Sequence, residues 1–477
     1  MRKYIIFFLI SLIIFFLGIF ILTPLTLNKQ DGVYWYLKAI VPESVKIFIK
    51  RNFLNTKLLE NKNKDLDKTL EKINENYFIL RVSNELNKTE NISIKSKNDI
   101  SYSLKKISLP FDAQNAWKGK PSGYIEEVKN YLIISSGKGE FIKIKKEDLK
   151  LNKIKFENIK NNLTEIIKFK EFYLPSNFGI RDLKVINNKL YVSYPKEIKS
   201  NCHNISILEA DLKNFDNELI FNEFFSFNNC LGDWLSTRSG GRIEEYQDQI
   251  LLSVGDYGLE VFDSPQNLNH PFGKIILIDK NSKNYKIISY GHRNPQGLYY
   301  DKENDILIET EHGPDGGDEV NKINLKNDLI VNNFGWPISS YGSHYKGTVS
   351  DHKEKGTYEK LIKTSPLKKS HKEYGFIEPI KNWTPSIGIS QVTKINNKFL
   401  KKANNDFFVS SLGNNVPEGD MTIHHLSFNN DFNEILFEDR IIIGERIRDI
   451  QFSEDLNSVL LITENSPSLS ILTKVLN

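Results

Sequence analysis

A short strand motif returns six times along this chain, and that repeat constrains the fold more than any other feature. Tyr131-Leu-Ile-Ile-Ser-Ser-Gly137 recurs as Lys189-Leu-Tyr-Val-Ser-Tyr194 and Gln249-Ile-Leu-Leu-Ser-Val-Gly255. It returns as Asp305-Ile-Leu-Ile-Glu-Thr310, Asp406-Phe-Phe-Val-Ser-Ser411 and Ser458-Val-Leu-Leu-Ile-Thr463. Most copies follow a polar turn such as Asn187-Asn188, Asp248, Asn304 or Asn404-Asn405. Before the turn lies another short strand, such as Gly179-Ile-Arg-Asp-Leu183 or Gly241-Arg-Ile-Glu-Glu245. Successive copies begin 52 to 60 residues apart, except for one gap of 101 that places an insertion between Asn332 and Ile389. One four-stranded sheet cannot bury both its faces, so units of this size stack radially about an axis. Six copies predict an all-β, six-bladed β-propeller. A β-sandwich would not explain six repetitions of one strand pair.

The first 30 residues are of another kind. Arg2 and Lys3 precede an uncharged apolar run from Tyr4 to Leu22. At about 1.5 Å per residue that run spans a bilayer core of roughly 30 Å. Ile21, Leu22, Thr23 and Pro24 offer no small-residue cleavage site, so an uncleaved anchor is expected over residues 1–30 rather than a removed signal peptide. The positive-inside rule then puts the body on the periplasmic or extracytoplasmic side. Residues 31–76 read as a short helical, polar stalk, with Leu59, Leu66, Leu70 and Ile73 at heptad-like spacing. From about Tyr77 the pattern changes to strands, giving a propeller over residues 77–477.

The net charge of +4 is spread along the chain, with no basic stripe carrying interleaved aromatics, so a nucleic-acid partner is excluded. Cys202 and Cys230 are the only cysteines. In an oxidising compartment they form a disulfide; the alternative is two buried thiols. Two cysteines do not make a zinc or iron–sulfur site by themselves.

Polar strings follow several of the repeats and are expected to meet at one end of the central channel. They are Gly291-His-Arg-Asn-Pro-Gln-Gly297, Glu311-His-Gly-Pro-Asp-Gly-Gly-Asp-Glu-Val-Asn321, Asn333-Phe-Gly-Trp-Pro337, Trp383-Thr-Pro-Ser-Ile387 and Arg446-Ile-Arg-Asp449. Arg293, Arg446 and Arg448 bring guanidinium forks toward one axis, which suits a ligand with several carboxylates or phosphates. The Gly313-Pro314 turn offers carbonyls beside Asp318 and Glu319, an all-oxygen environment fit for Ca²⁺. The competing reading is that Gly, Pro, Asn and Asp merely make turns and that the arginines pair with glutamates between blades.

These strings resemble the glucose/sorbosone dehydrogenase family, six-bladed quinoproteins that use pyrroloquinoline quinone (PQQ), and in particular its aldose sugar dehydrogenase branch. The resemblance covers roughly residues 105–477 and is firmest from Gly240 to Pro337. It implies an oxidoreductase with PQQ and Ca²⁺ at the channel mouth, a sugar substrate and a separate electron acceptor. By the same resemblance Arg293 and Asn294 contact quinone oxygens, and Ser386, Arg446 and Arg448 hold quinone carboxylates. The carbonyls of Gly313 and Pro314 bind the catalytic Ca²⁺, and Glu319 with the Phe334 carbonyl forms a second, structural Ca²⁺ site.

The departures from the family pattern matter as much. Where the family carries its catalytic histidine, four residues before the Arg242 position, this chain has Arg238, and a guanidinium does not act as a general base. The lysine expected after Ser411-Leu412 is Gly413, and the glutamine loop has become Gly179-Ile-Arg-Asp182. His312 is the candidate substitute base, His292 reads as structural, and His424 and His425 lie on a strand-like stretch without an evident partner. Two readings stay open: a quinone-dependent sugar dehydrogenase with altered site chemistry, and a non-catalytic propeller that binds a ligand or a protein.

Overall fold

The computed structural model describes residues 88–111, 123–167, 179–200, 202–232, 238–258, 264–325, 331–345, 362–400 and 405–475. The expected membrane anchor and stalk lie outside the described residues. No helix among the described residues is long and apolar enough to cross a membrane.

Each of the six repeats is the second strand of a blade: Tyr131–Ser136, Lys189–Lys199, Gln249–Val254, Ile306–Glu311, Asp406–Ser411 and Ser458–Thr463. These runs are apolar without alternation because neighbouring blades cover both of their faces; Leu132, Ile133 and Ile134, for instance, are fully buried. Each second strand pairs antiparallel with the innermost strand that precedes it, across a turn of two to four residues in five blades and across residues 396–405 in the fifth blade. Asn187, Asn188, Gln247 and Asp248 adopt positive φ in these turns. That backbone matches the right-handed twist of the strands, and Asn and Asp tolerate it best.

The innermost strands are Gly123–Val128, Asp182–Ile186, Gly240–Tyr246, Pro295–Asp301, Ile389–Ile395 and Ile447–Ser453. They touch in that order around a ring, and the last lies against the first. The ring is closed without a covalent link. Ser101–Ser108 pairs antiparallel with the C-terminal strand Ser468–Lys474, and Thr89–Lys95 adds a further strand outside it. The N-terminal strands therefore complete the last blade, and Tyr102 and Leu104 bury against Ile450 and Leu472 there.

The insertion falls inside the fourth blade, between its third strand Asp318–Asn324 and its fourth, Lys381–Trp383. On the way, Asn332–Asn333 adds a parallel strand to the edge of the third blade. Cys202 and Cys230 form a disulfide across the outer part of the second blade, closing a loop 28 residues apart in sequence. Chain-entropy arguments give such a link about 3 to 4 kcal/mol of stabilisation.

Candidate functional site

The polar strings of the sequence do converge. Gly291–Asn294 leads into the fourth innermost strand, Ser386–Gly388 into the fifth, and Arg446 into the sixth, while His312–Gly317 follows the second strand of the fourth blade. In an antiparallel blade these positions share one end, so all of them line the same channel mouth.

The channel beneath this mouth is plugged by Arg242. Its Nη1 donates to Asp182 Oδ1 and to Asp449 Oδ1, each at 2.8 Å. Its Nε donates to the Gln296 carbonyl (2.6 Å) and its Nη2 to the Arg448 carbonyl (3.0 Å). One buried side chain thus ties together four of the six blades, with both of its ionic partners satisfied.

Above the plug, Arg293 is held by its backbone and its fork together. Its N–H donates to Glu311 Oε2 (2.6 Å) and its Nη1 to the His312 carbonyl (3.1 Å), with the guanidinium 5.3 Å from the Trp336 ring. Asn294 Oδ1 accepts from Gln296 Nε2 (3.0 Å) and from the Gly240 N–H (3.3 Å). Glu464 accepts from both C-terminal arginines, from Arg446 Nε at 3.0 Å and from Arg448 Nε at 2.7 Å. Arg446 also donates to the Leu412 carbonyl. Among the described residues, the two Nη atoms of Arg448 make no hydrogen bond. The pairing of arginine with glutamate weighed from sequence is therefore present, yet it leaves a guanidinium fork at the mouth.

His312 stands at the centre of this charge. Its side chain is 23% exposed, with Nδ1 3.9 Å from Asp318 Oδ1. Burial lowers its pKa first; the Asp318 carboxylate opposes that, and Arg293, Arg448 and Arg446 push it further down, to about 4. The imidazole is thus neutral near pH 7. That three arginines act on one ring is the electrostatic signature of their convergence.

Arg238 is buried and pairs with Asp256, whose Oδ2 also accepts from Trp336 Nε1 at 2.7 Å. Ser386 Oγ is buried without a hydrogen-bond partner. Gly313 must be glycine, because a Cβ there would meet the carbonyl oxygens of Gly317 and Gly316 at 2.1 and 2.3 Å. Its N–H donates to Asp318 Oδ1 (3.0 Å), and the Pro314 carbonyl accepts from Tyr345 Oη (3.1 Å). Glu319 and Phe334 meet, with Glu311 and His371, around a small cavity of about 10 Å³. That is room for roughly one water or ion. Burial first, and then the neighbouring Glu311 charge, drive the Glu319 carboxyl well above its ordinary range. A cation in that cavity would remove the conflict.

Gly413 marks the expected lysine position, and the space a side chain would need is taken: its Cβ would fall 1.9 Å from Asp420 Cγ. His292, His424 and His425 are held in hydrogen bonds of the fold. His292 bridges Ser289 (2.8 Å) and Glu311 (3.2 Å), His424 Nε2 contacts the Gly419 carbonyl (2.9 Å), and His425 Nε2 contacts Asp406 (2.5 Å).

Sequence reasoning missed Asp256, Glu464, Asp420 and His371. Glu464 had a signal, because superposed repeats place it level with Glu311; Asp256 falls one position further on in its copy. His371 comes from the insertion, where the repeat gives no register.

A six-bladed propeller with an arginine-lined, oxygen-rich mouth is the class that fold and site define. The chain belongs to the glucose/sorbosone dehydrogenase family, whose model matches residues 159–472. It is 30% identical over 252 residues to an uncharacterized protein of Synechocystis, covering 48% of this chain and 54% of that one. It is 28% identical over 195 residues to aldose sugar dehydrogenase YliI of Escherichia coli, covering 40% and 45%. The chain thus spans about half the length of these relatives. Among solved structures it resembles a glucose dehydrogenase (TM-score 0.57, 19% identity, 75% of this chain and 96% of that one). It also resembles the soluble aldose sugar dehydrogenase of Escherichia coli in its apo-form (TM-score 0.56, 17% identity, 81% and 100%). At these identities the structural likeness shows the fold.

Proposed function

We propose that this protein is a sugar oxidoreductase of the quinoprotein type, with PQQ held at the arginine-lined mouth, Ca²⁺ beside it, and electrons passed to a separate acceptor. The observation that carries this reading is the grouping of Arg293, on the His312 carbonyl, with Arg446 and Arg448, both on Glu464, at one mouth, the Arg448 Nη atoms making no hydrogen bond among the described residues. The orphaned, buried Ser386 Oγ supports it, since an acceptor brought by a ligand would satisfy that hydroxyl.

When bound, the quinone supplies the two-electron sink and the calcium polarises it. The chain's own residues do the rest. Arg446, Arg448 and Ser386 bind carboxylates; Arg293 and Asn294, fixed by Glu311 and Gln296, orient the oxygens at the other edge. The carbonyls of Gly313 and Pro314 are the oxygen ligands of the Ca²⁺, and Glu319 with the Phe334 carbonyl holds a second cation. Arg238 stays charged and paired to Asp256, so it takes no proton. His312 is the neutral imidazole at the mouth, a weak base because its pKa is depressed.

Oxidation of neutral aldoses should therefore be slow, since a positioned general base contributes about 10² to 10⁴ in rate. With an artificial electron acceptor, Arg238→His is expected to raise turnover of glucose above the wild-type level. Robust wild-type turnover, unchanged in Arg238→His, would contradict the role given to Arg238.

The Arg238–Asp256 pair and the Asp420 carboxylate beside Gly413 favour a second reading, a propeller that binds its ligand or partner without turnover. We further propose that the body is tethered by Tyr4–Leu22 and faces an oxidising compartment, which the Cys202–Cys230 disulfide supports. Fractionated cells should retain the full-length chain in the membranes. A mature N-terminus beginning just after Thr23 would overturn the tether.

A further inference from the structure

The channel has a second end. Below the Arg242 plug, where the innermost strands turn back toward their second strands, the ring encloses a cavity of about 830 Å³. Each innermost strand contributes one side chain to it from the same level, two residues before the strand ends: Glu126, Lys184, Glu244, Tyr299, Thr393 and Gln451. The level is shared because side chains alternate along a strand and the six strands are in register around the axis.

The ring is short of donors on one side. Lys184 Nζ pairs with Glu244 Oε2 at 3.0 Å, which leaves Glu126 on the neighbouring blade without an ion pair among the described residues. Glu126 is only 8% exposed. Among the described residues its one hydrogen bond is a long contact from the Val185 N–H to Oε2, at 3.4 Å, and Oε1 has none. On the next blade round the ring, Gln451 Oε1 is buried without a partner. Thr393 Oγ1 accepts from the Phe452 N–H (3.1 Å), so its own hydrogen remains to be donated. Of the other two lysines that line the cavity, Lys394 is taken by Asp301 (2.8 Å) and Glu303 (2.7 Å), and Lys302 lies 3.7 Å from Glu245 Oε2. Burial pushes the Glu126 carboxyl up to about 8; Lys184 offsets part of this, and Asp182, Glu244 and Asp449 add to it. With no cation beside it the carboxyl is largely protonated near neutral pH, and a cation seated against it would favour the ionised form.

A metal ion fits poorly. Among the described residues, the one trio of His, Cys, Asp or Glu close enough to share an ion is His292, Glu309 and Glu311, none of which lines this cavity. The volume is instead that of a site for a small organic molecule, a range of about 300 to 1,000 Å³. We infer that the far cavity binds a small organic cation, an amine carrying hydroxyl groups, with its ammonium on Glu126 and Gln451 and its hydroxyls toward Tyr299 and Thr393. The Arg242 plug separates this cavity from the arginine-lined mouth, so the two sites are occupied independently.

Calorimetric titration of the full-length protein with 2-amino-1,3-propanediol tests this, with glycerol as the uncharged analogue of the same shape. The amine should bind saturably, one per chain, and glycerol should not. Glu126→Gln keeps the shape, removes the charge and should weaken the amine about tenfold or more. Gln451→Glu should tighten it, and melting curves of both variants establish that the propeller is intact. Arg293→Ala, at the other mouth, should leave amine binding unchanged whatever it does to quinone binding. Equal binding of amine and glycerol, or unaltered affinity in Glu126→Gln, would overturn the inference. So would displacement of the amine by CaCl₂, which would assign the cavity to a metal, or its loss in Arg293→Ala, which would move the amine to the other mouth.

Discussion

Two positions at the arginine-lined mouth depart from the family pattern in charge: Arg238 adds one and Gly413 removes one. Arg238 is legible from the sequence as the wrong residue for a base, but its consequence depends on Asp256, eighteen residues away along the chain and paired to it in the fold. Gly413 is legible as a missing lysine. Its cause is not, because Asp420 reaches the same space only after the chain has turned through Val416–Glu418. Asp420 is held there by the Asn415 N–H at 2.5 Å. Introducing Gly413→Lys should therefore cost about 1 to 3 kcal/mol of stability through overpacking. Asp420→Ala in the same chain should recover much of that loss in urea unfolding. A single variant as stable as wild type would show that the loop yields freely and that the two positions are not coupled.

At the scale of strands, the sequence carried the second strand of every blade and, in copies such as Gly241-Arg-Ile-Glu-Glu245, the innermost strand before it; the outer strands it did not resolve. The second strands are buried on both faces, so their apolar runs stand out against the polar turns before them. The outer strands are more exposed, as in Ile435–Ile442, so no continuous apolar run marks them, and the innermost ones put polar residues into the channel, which weakens their strand signal. Arg242 illustrates this: in sequence it is one charge in Gly241-Arg-Ile-Glu-Glu245, and in the fold it joins Asp182 and Asp449 from two other blades. Replacing it with a methionine leaves two buried carboxylates uncompensated, a change that costs about 3 to 5 kcal/mol. Arg242→Met should lower the urea midpoint accordingly, with little change in m-value. A stability close to wild type would mean that water compensates the two aspartates and that the plug does not hold the ring.

For the molecule as a whole, the sixfold count was available from spacing, whereas the closure was not. Thr89–Lys95 and Ser101–Ser108 belong to no repeat, and only their pairing with Ser468–Lys474 shows that the chain closes by bringing its N-terminal strands to its last blade. Closure gives the channel two ends of different character, arginines at one and unpaired carboxylate at the other, with Arg242 between them. The convergence of polar strings at the first end was legible because turn residues recur at equivalent points of the blades. The contribution of the insertion, His371 and Tyr345 at the edge of that mouth, was not, since it lies outside the repeat.

The account stands on whether that first mouth holds an anionic quinone. Equilibrium titration of the full-length protein with PQQ in the presence of Ca²⁺, followed by the absorbance of the bound chromophore, tests this most directly. Saturable binding of one PQQ per chain is predicted, weakened about tenfold or more in Arg448→Ala by loss of a charge-assisted pair and reduced when Ca²⁺ is chelated. No binding of PQQ at millimolar Ca²⁺, by a protein with an intact melting transition, would contradict the account and leave the propeller as a binding module for some other partner.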